Sequence, residues 1–263
     1  MDRTSGETGY CRTGSSAKVS SAFPHFGEEQ VLVGTRGSGA VFFSECNLRC
    51  VFCQNHGISH GGDGREVTVE ELAGLLTGLE AAGCHNVNFV TPSHVVPQVF
   101  DALQRARTRG LAIPVVYNTS AYDRVDTLRH LDGLVDIYMP DFKFWSVESS
   151  TAWMDAGDYP EVARAAIAEM HRQVGDLELD RFGIARRGLM VRHLVMPGGI
   201  EDTVAIMGFL ASLSPDTFVN LMAQYRPFDG TARHQELDRR PLPEEMNASR
   251  RAALDAGLHR LAR

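Results

Sequence analysis

The sequence predicts an α/β protein built on a parallel sheet, and three observations support this fold class. Short apolar runs rich in β-branched residues recur along the chain, as buried parallel strands require. Segments with helical periodicity separate these runs, which is the βα alternation of a parallel sheet. Hydrophobic residues make up 43% of the 263 residues, enough for a sizeable core. Periodicity leaves open whether the sheet is doubly wound or an incomplete barrel.

The predicted elements follow one another in a regular order. Six runs are predicted as buried strands: Ala40–Phe43, Val87–Val90, Ile113–Tyr117, Val135–Met139, Leu189–Val195 and Phe218–Ala223. The helix after Thr68 has the clearest bounds, because Thr68 and Glu71 form a capping box and Gly83 ends the pattern. Further helical patterns cover 95–110, 159–175, 201–213 and 244–262. The Gly/Ser/Thr-rich first twenty residues are predicted to be mobile or a thin flap.

Charge and hydropathy exclude several classes of partner. The formal net charge is −7 and no long basic run occurs, which argues against a nucleic-acid or anionic-membrane surface. The sequence has no stretch of about 18 apolar residues that would span a membrane, and its polar start does not resemble a signal peptide. We therefore expect a cytoplasmic protein. In that compartment, clustered cysteines serve metal binding or catalysis more often than disulfides.

Three of the five cysteines, Cys46, Cys50 and Cys53, lie in the loop "SECNLRCVFCQNHGISH", directly after the first predicted strand. The carboxyl ends of parallel strands form the functional edge in either fold. Thiolates spaced C-x3-C-x2-C can converge on a soft-metal centre. Cys11, in the weakly structured start, and Cys84, at the opposite sheet edge, are poor candidates for a fourth ligand. Three cysteines would hold three irons of a cubane cluster and leave one iron with an open position.

Two other interpretations of this loop remain open. Cys50 and Cys53 with His56 and His60 form a C-x2-C-x2-H-x3-H pattern, whose four ligands suit zinc. The short spacing before His56 would crowd a tetrahedral site, however, and Cys46 would have no role. The three thiols could also be ordinary buried side chains.

The stretch "CNLRCVFCQN" resembles the cluster motif of radical S-adenosylmethionine (SAM) enzymes. Further stretches resemble the activating enzymes of glycyl-radical proteins, in particular a branch of homologues of the pyruvate formate-lyase activating enzyme. They are, in order, "GSGAVFF", "VTPSH", "VYNTS", "DIYMPDFK", "VRHLVMPG" and "NLMAQYRP". The similarity covers about residues 37–227. It implies a parallel (β/α)6 partial TIM barrel, with 1–36 as an N-terminal extension and 37–263 as the radical SAM core, including an insertion at about 144–187.

The resemblance also implies an activity. SAM would chelate the open iron of a [4Fe–4S] cluster held by Cys46, Cys50 and Cys53, and its reductive cleavage would give a 5′-deoxyadenosyl radical that abstracts hydrogen from a substrate. That substrate would be a glycyl-radical protein, a peptide or a small metabolite. The resemblance further implies a one-electron donor such as flavodoxin or ferredoxin, and it allows a bound monovalent cation.

The resemblance assigns roles to particular residues. Ten would bind SAM: Phe52, Asn55, Thr91, Ser93, His94, Asn118, Thr119, Asp141, Lys143 and Arg192. Phe52 would face the adenine, and Asp141 and Lys143 match the family's D-x-K stretch. Arg192 would bind the methionyl carboxylate through its forked donors. Gln224 and Tyr225 end the sixth strand, where substrate would enter.

The sequence departs from the family at residues 91–94. The acidic ligand of the SAM amino group is absent there, so Thr91, Ser93 or His94 would have to accept that hydrogen bond. This departure supports the main alternative function, a non-enzymatic metal-binding redox sensor or scaffold. A third hypothesis is a zinc hydrolase, which would need a water-activating carboxylate near the metal.

Overall fold

The computed structural model describes residues 2–227, 231 and 234–262, which form a nine-stranded sheet and nine α-helices. The predicted core domain, 37–263, includes 228–230, 232–233 and 263, which lie outside the described residues. The strands are β1 (Ala17–His25), β2 (Ser38–Phe43), β3 (Arg65–Val67), β4 (Val87–Val90), β5 (Val115–Thr119), β6 (Ile137–Pro140), β7 (Glu178–Leu179), β8 (Ala185–Leu194) and β9 (Phe218–Met222). The helices are α1 (Gln30–Val33), α2 (His56–Ser59), α3 (Val69–Ala81), α4 (Val96–Thr108), α5 (Val125–Arg129), α6 (Val147–Met154), α7 (Tyr159–Val174), α8 (Ile200–Leu213) and α9 (Pro243–Asp255).

The six predicted strands correspond to β2, β4, β5, β6, β8 and β9. Neighbouring strands in this series are parallel and lie side by side in chain order. The predicted fold class, a parallel (β/α)6 partial barrel, is therefore confirmed. Its two outer edges have other partners: β1 pairs antiparallel with β2, and residues 260–262 pair with β9.

The three antiparallel strands β1, β3 and β7 were not predicted. β1 corrects the expectation for the start of the chain, because residues 17–20 belong to a strand of the sheet and not to a mobile flap. Its sequence, AKVSSAFPH, alternates poorly and contains Pro24, a composition that a strand near a sheet edge tolerates. β3 and β7 have only three and two residues, too few for a periodic signal.

The N-terminal segment, defined here as residues 25–33, turns from β1 into the interior of the barrel. Leu32 of α1 is fully buried in a cluster with Val116 and Ile137, which lie in β5 and β6. Asn86, just before β4, donates a hydrogen bond to the Leu32 carbonyl (2.9 Å). Because these contacts lie towards the amino ends of the strands, α1 plugs that end of the barrel. The opposite end stays open for a site.

The helices cover the outside of the sheet and enclose the larger apolar core. The capping box predicted before α3 is present, with Thr68 and Glu71 bonded to each other's backbone N–H groups. No helix in the described part of the chain is long and apolar enough to span a membrane.

The predicted insertion, 144–187, contains α6, α7 and β7. α7 packs against β6 and β8, as the crossover helix of a βα unit does. The end of α6 supports the cysteine loop, because the backbone oxygen of Trp153 accepts a hydrogen bond from Val51 (2.9 Å). The predicted insertion therefore contacts the cysteine loop and supports it. The division of the chain into extension, core and insertion remains a prediction.

Candidate active site

A cavity of about 560 Å³ lies at the carboxyl ends of the parallel strands. Its volume is in the range of ligand and cofactor pockets. The three clustered cysteines and the N-terminal segment both contribute to its wall. The predicted site residues that line it are Cys46, Cys50, Phe52, Cys53, Asn55, Thr91, Asn118, Thr119, Asp141, Lys143, Arg192 and Gln224. Those that do not are Ser93, His94 and Tyr225.

The side chains of Ser93 and His94 are engaged outside the cavity. The Ser93 hydroxyl bonds to the Thr119 hydroxyl (2.9 Å), which in turn donates to Asp123 (2.5 Å). His94 donates from Nε2 to the backbone oxygen of Ser44 (2.8 Å). Of the predicted acceptors for the SAM amino group, only Thr91 lines the cavity.

The two predicted substrate residues point to different places. Gln224 lines the cavity, and its backbone oxygen accepts a hydrogen bond from Gln54 (3.0 Å), which ties the end of β9 to the cysteine loop. Tyr225 is 1% exposed, and its hydroxyl donates to the backbone oxygen of Leu237 (2.6 Å). The structure thus places Tyr225 in the core, where it packs.

In the cysteine loop, Cys50 is buried, and Cys46 and Cys53 are half-buried against the apolar core. Burial raises the pKa of Cys46 to about 11, although the backbone N–H of Leu48 donates to its Sγ (3.4 Å). Burial also raises the pKa of Cys50, an effect that the Lys143 ammonium opposes. Metal binding would therefore have to displace protons from these thiols.

The arrangement of possible ligands bears on which metal the loop suits. Within the described residues, no three Cys, His, Asp or Glu side chains are placed to hold one metal ion. A zinc site built from Cys50, Cys53, His56 and His60 would need such a convergence. A [4Fe–4S] cluster does not, because each thiolate binds a different iron. The described residues therefore form no ready zinc site, and the preference for a cluster rests on the spacing of the three cysteines in the loop.

A buried network of charges crosses the cavity wall from β6 to β8. Asp141 accepts hydrogen bonds from Lys143 Nζ and from Arg192 Nε, both at 2.7 Å. Arg192 also donates from Nη1 to Glu28 and from Nη2 to Asn118, both at 2.9 Å. Burial alone would raise the pKa of Asp141, but the charges of Arg192 and Lys143 outweigh it and hold that pKa below its usual value. The network therefore keeps its carboxylate ionised.

Several lining residues were not anticipated from the sequence, among them Glu28, Glu29, Ser120 and Asn220. Glu28 and Glu29 come from the N-terminal segment. Glu28 accepts from Asn118 (3.1 Å), and Glu29 accepts twice from the Asn220 amide, at 2.8 and 2.9 Å. The cavity thus contains two carboxylates in addition to Asp141, although residues 91–94 supply none. Asn220 carried a signal, as a polar residue inside an apolar strand, whereas the two glutamates carried none.

The strand ends that form the cavity rim turn sharply. Glu45, Thr91 and Ala121, which follow β2, β4 and β5, have φ values of 69°, 59° and 63°, in the left-handed region that non-glycine residues seldom adopt. After β6, the buried hydroxyl of Tyr159 accepts a hydrogen bond from the backbone N–H of Lys143 (2.9 Å) and so stabilises that part of the rim. Backbone strain of this kind concentrates at functional sites.

The cavity retains polar groups that could receive a ligand. Ser120 Oγ is buried and has no hydrogen-bond partner among the described residues. Lys143 uses one of its three ammonium donors on Asp141, and Arg192 uses three of its five N–H groups. With the three thiols, these groups fit a cluster-bound ligand that carries a carboxylate and an ammonium.

A partial (β/α)6 barrel with three cysteines after its first parallel strand and a polar cavity beside them defines a class of cluster-dependent enzymes. Residues 41–177 match the Radical SAM superfamily. The uncharacterized protein MJ0674 of Methanocaldococcus jannaschii is 32% identical over 248 residues, which cover 91% of this chain and 68% of that protein. The chain belongs to the radical SAM superfamily. Members of this family are enzymes that use a [4Fe–4S] cluster and SAM and depend on an electron donor.

The fold is similar to that of a solved hydrogenase maturase. The [FeFe]-hydrogenase maturase HydG from Carboxydothermus hydrogenoformans has a TM-score of 0.55 and 12% identity, over 86% of this chain and 54% of that chain. This chain therefore spans about half of HydG, and at this identity the similarity shows the fold alone. A domain of the pyruvate-formate lyase-activating enzyme from Bacteroides vulgatus gives a TM-score of 0.48 with 17% identity, over 65% of this chain and 94% of that one.

Proposed function

We propose that this chain binds a [4Fe–4S] cluster through Cys46, Cys50 and Cys53, binds SAM beside it, and abstracts hydrogen from a protein, peptide or small-molecule substrate. A glycyl-radical enzyme is one such substrate, in keeping with the resemblance to activating enzymes. The observation that carries the proposal is that the three cysteines share one cavity with the polar ends of β4, β5, β6 and β8. The reduced electron carrier would be a protein such as flavodoxin or ferredoxin.

When bound, the cluster and SAM would supply a one-electron reductive cleavage and, through it, hydrogen-atom abstraction. The chain's own residues would bind and orient SAM. The free donors of Lys143 and Arg192 suit its carboxylate, and the Thr91 and Ser120 oxygens suit its ammonium. Phe52, which is 5% exposed and lines the cavity, offers an apolar surface to the adenine.

Other predicted ligands have narrower roles in this proposal. Asn55, on the exposed side of the loop, would contact the nucleoside, and Asn118 and Asp141 would hold Arg192 in position. Ser93, His94 and Thr119 would support the strand ends without touching SAM. Both oxygens of Asp141 are bonded to cationic side chains, so we do not include a monovalent cation.

The alternative of a redox sensor or scaffold rested on the missing acid at residues 91–94. Thr91 and Ser120 both line the cavity, and the Ser120 hydroxyl has no hydrogen-bond partner among the described residues. Their oxygens could accept from the SAM ammonium, so the missing acid at residues 91–94 does not by itself favour a non-catalytic protein. The zinc alternatives lack three converging ligands in the described part of the chain.

The first test is the iron content of cysteine variants after anaerobic reconstitution. Cys46→Ala, Cys50→Ala and Cys53→Ala should each lose the cluster, because each thiolate holds a different iron. Cys11→Ala and Cys84→Ala are matched controls, since both thiols are buried and neither lines the cavity. They should keep about four irons per chain. Full iron in Cys50→Ala, or stoichiometric zinc in the parent protein, would refute the proposed cluster.

The reconstituted parent protein then tests the reaction. After reduction in the presence of SAM, chromatography should detect 5′-deoxyadenosine and methionine. A protein that holds its cluster and binds SAM but yields neither product, even with candidate substrates, would instead support the sensor alternative.

A further inference from the structure

The floor of the cavity is built by the N-terminal segment and not by the barrel strands alone. His25, Gly27, Glu28, Glu29 and Gln30 all line it. They directly precede or begin α1, which plugs the amino end of the barrel. The cysteine loop, in contrast, follows the carboxyl end of β2. The cavity therefore extends from the cysteines down to this segment, and its lower part is available to a substrate.

The carboxylates on this floor differ in whether they form a salt bridge with a cationic side chain. Glu28 forms a salt bridge with Arg192 (2.9 Å), and Asp141 forms salt bridges with Arg192 and Lys143 (both 2.7 Å). Glu29 bonds only to the neutral amide of Asn220, and among the described residues it has no salt bridge. Burial raises the pKa of Glu29, the hydrogen bond from Asn220 and the charge of Arg192 oppose this rise only in part, and the carboxylates of Glu28 and Asp141 add to it. A carboxylate in this setting is stabilised by any cation that enters the cavity.

Aromatic rings line the same cavity as this carboxylate. Phe42 and His25 are part of the lining, and Phe23 stacks on Phe42 with ring centroids 5.7 Å apart. Phe23 is 40% exposed, so this stacked pair extends from the cavity lining to solvent. The faces of aromatic rings attract ammonium and guanidinium groups, and more strongly where water is excluded.

A buried acceptor beneath this floor, next to Glu28, also lacks a donor. Asn88 is fully buried and donates to Glu28 (3.2 Å), but its Oδ1 has no hydrogen-bond partner within the described residues. Native proteins leave few buried polar atoms unsatisfied, and each one calls for a water or ligand donor nearby. This observation is independent of the charge on Glu29.

We propose that Glu29, held by Asn220 in a cavity that Phe42 and His25 also line, binds a cationic group of the substrate, a primary amine or a guanidinium. This inference rests on the proposed function and narrows its substrate class. Glu29 would fix the position of the substrate relative to SAM and would not take part in the hydrogen transfer. The proposed function assigns Lys143 and Arg192 to the SAM carboxylate and the Thr91 and Ser120 oxygens to its ammonium, so Glu29 remains for the substrate.

The test compares charged probes with uncharged isosteres on the full chain, loaded with cluster and SAM. Arginine and lysine, free and as N-acetyl amides in short peptides, are paired with citrulline and norleucine in the same contexts. Isothermal titration calorimetry and ligand-observed NMR measure binding without requiring turnover. At least one cationic probe should bind about tenfold more tightly than its isostere, because a charge-assisted hydrogen bond contributes this much.

The variant Glu29→Gln removes the charge and keeps the shape. It should lose about tenfold or more in affinity for the cationic probe and bind the isostere as the parent does. Iron content and SAM affinity, measured on the same samples, should stay unchanged. Glu66→Gln, on the exposed strand β3, is the matched control and should bind as the parent does.

The outcomes separate this inference from the proposed function. If a protein with full cluster and SAM binding does not discriminate between charged and neutral probes, or binds none of them, the cation site is refuted and the proposed function stands. If Glu29→Gln weakens SAM and not the probe, Glu29 serves the SAM ammonium and the inference is also wrong. Loss of cluster or SAM binding in the parent would refute the proposed function itself.

Discussion

Arg192 is the residue on which the charges of the cavity depend. It lies between Glu28 and Asp141, and the three side chains are 11–16% exposed. Removing one partner of a buried ion pair leaves the others uncompensated, which is far more destabilising than losing an exposed pair. We therefore predict that Arg192→Gln lowers the free energy of unfolding of the metal-free protein by about 3–5 kcal/mol. Urea denaturation under anaerobic conditions measures it.

The matched control is Arg186→Gln, whose ion pair with Asp180 leaves the arginine 45% exposed. That variant should lose less than about 1 kcal/mol. Equal losses in the two variants would show that the Arg192 network does not stabilise the fold. Binding of SAM would then be the one role still expected for Arg192.

His94 provides a second prediction for a single residue. Burial lowers its pKa to about 4, from the ordinary 6.5. Between pH 6.5 and about pH 4, His94 therefore binds a proton in the unfolded chain but not in the folded chain. Stability is complete above pH 6.5 and falls as the pH drops towards 4, by up to about 3 kcal/mol.

The variant His94→Gln should lose less stability than the parent as the pH drops, because glutamine can donate to the Ser44 carbonyl and does not titrate. Urea denaturation at pH 7 and pH 4.5 gives the difference for each protein. His130→Gln, at an exposed position, should keep the slope of the parent. If His94→Gln loses as much stability between the two pH values as the parent does, the buried histidine is not responsible.

Polar residues within apolar strands were the best sequence guide to the site. Asn118 was assigned to the site by the family resemblance, and Asn88 and Asn220 stand in equally apolar runs. In a strand buried on both faces, a polar side chain is retained only where it has partners or a function. Asn118 and Asn220 line the cavity, and Asn88 lies beneath it against Glu28. This rule does not identify Glu28 or Glu29 as site residues, because acidic residues in a polar stretch usually face solvent.

At the level of elements, α1 is too short to be stable alone. Its packing inside the barrel must stabilise it, and Leu32, with no exposed surface, makes the central contact. Leu32→Ala should lower the free energy of unfolding by about 2–5 kcal/mol, because it leaves a cavity. Leu254→Ala, at a helical position that is 53% exposed, should cost less than about 1 kcal/mol.

Urea midpoints of both variants test this role of α1. If the two leucine variants unfold at the same urea concentration, the helix does not act as a plug. A loss confined to Leu32→Ala would show that the floor of the cavity depends on a four-residue helix.

The sequence predicted the parallel elements far better than the others. Strands buried on both faces produce continuous apolar runs, and α3 carried its own capping signal in Thr68 and Glu71. β1 has no comparable signal, since it mixes serines with a proline and depends on β2 for its pairing. The very short helices α1, α2 and α5 arise from contacts that no local pattern records.

For the whole molecule, the alternation of strands and helices predicted a parallel sheet, and the resemblance to radical SAM enzymes was needed to predict a partial barrel with its strands in chain order. Six strands separated by helices have few sterically reasonable arrangements, and the cysteine loop after the first of them must lie at the carboxyl edge. The closure of the cavity could not be predicted. It depends on Glu28 and Glu29 meeting Arg192 and Asn220, residues 164 and 191 positions later in the chain.

These long separations have a consequence for how the protein is made. Synthesis proceeds from the amino terminus, so the segment with Glu28 and Glu29 leaves the ribosome early and waits for β8 and β9. Contacts of such high contact order form late, because the intervening loop must first be closed. The cysteine loop, complete soon after β2, is therefore exposed through most of synthesis. Iron could therefore bind to the cysteine loop of the nascent chain before the floor of the cavity has formed. Docking of the N-terminal segment would then close the cavity around the cluster.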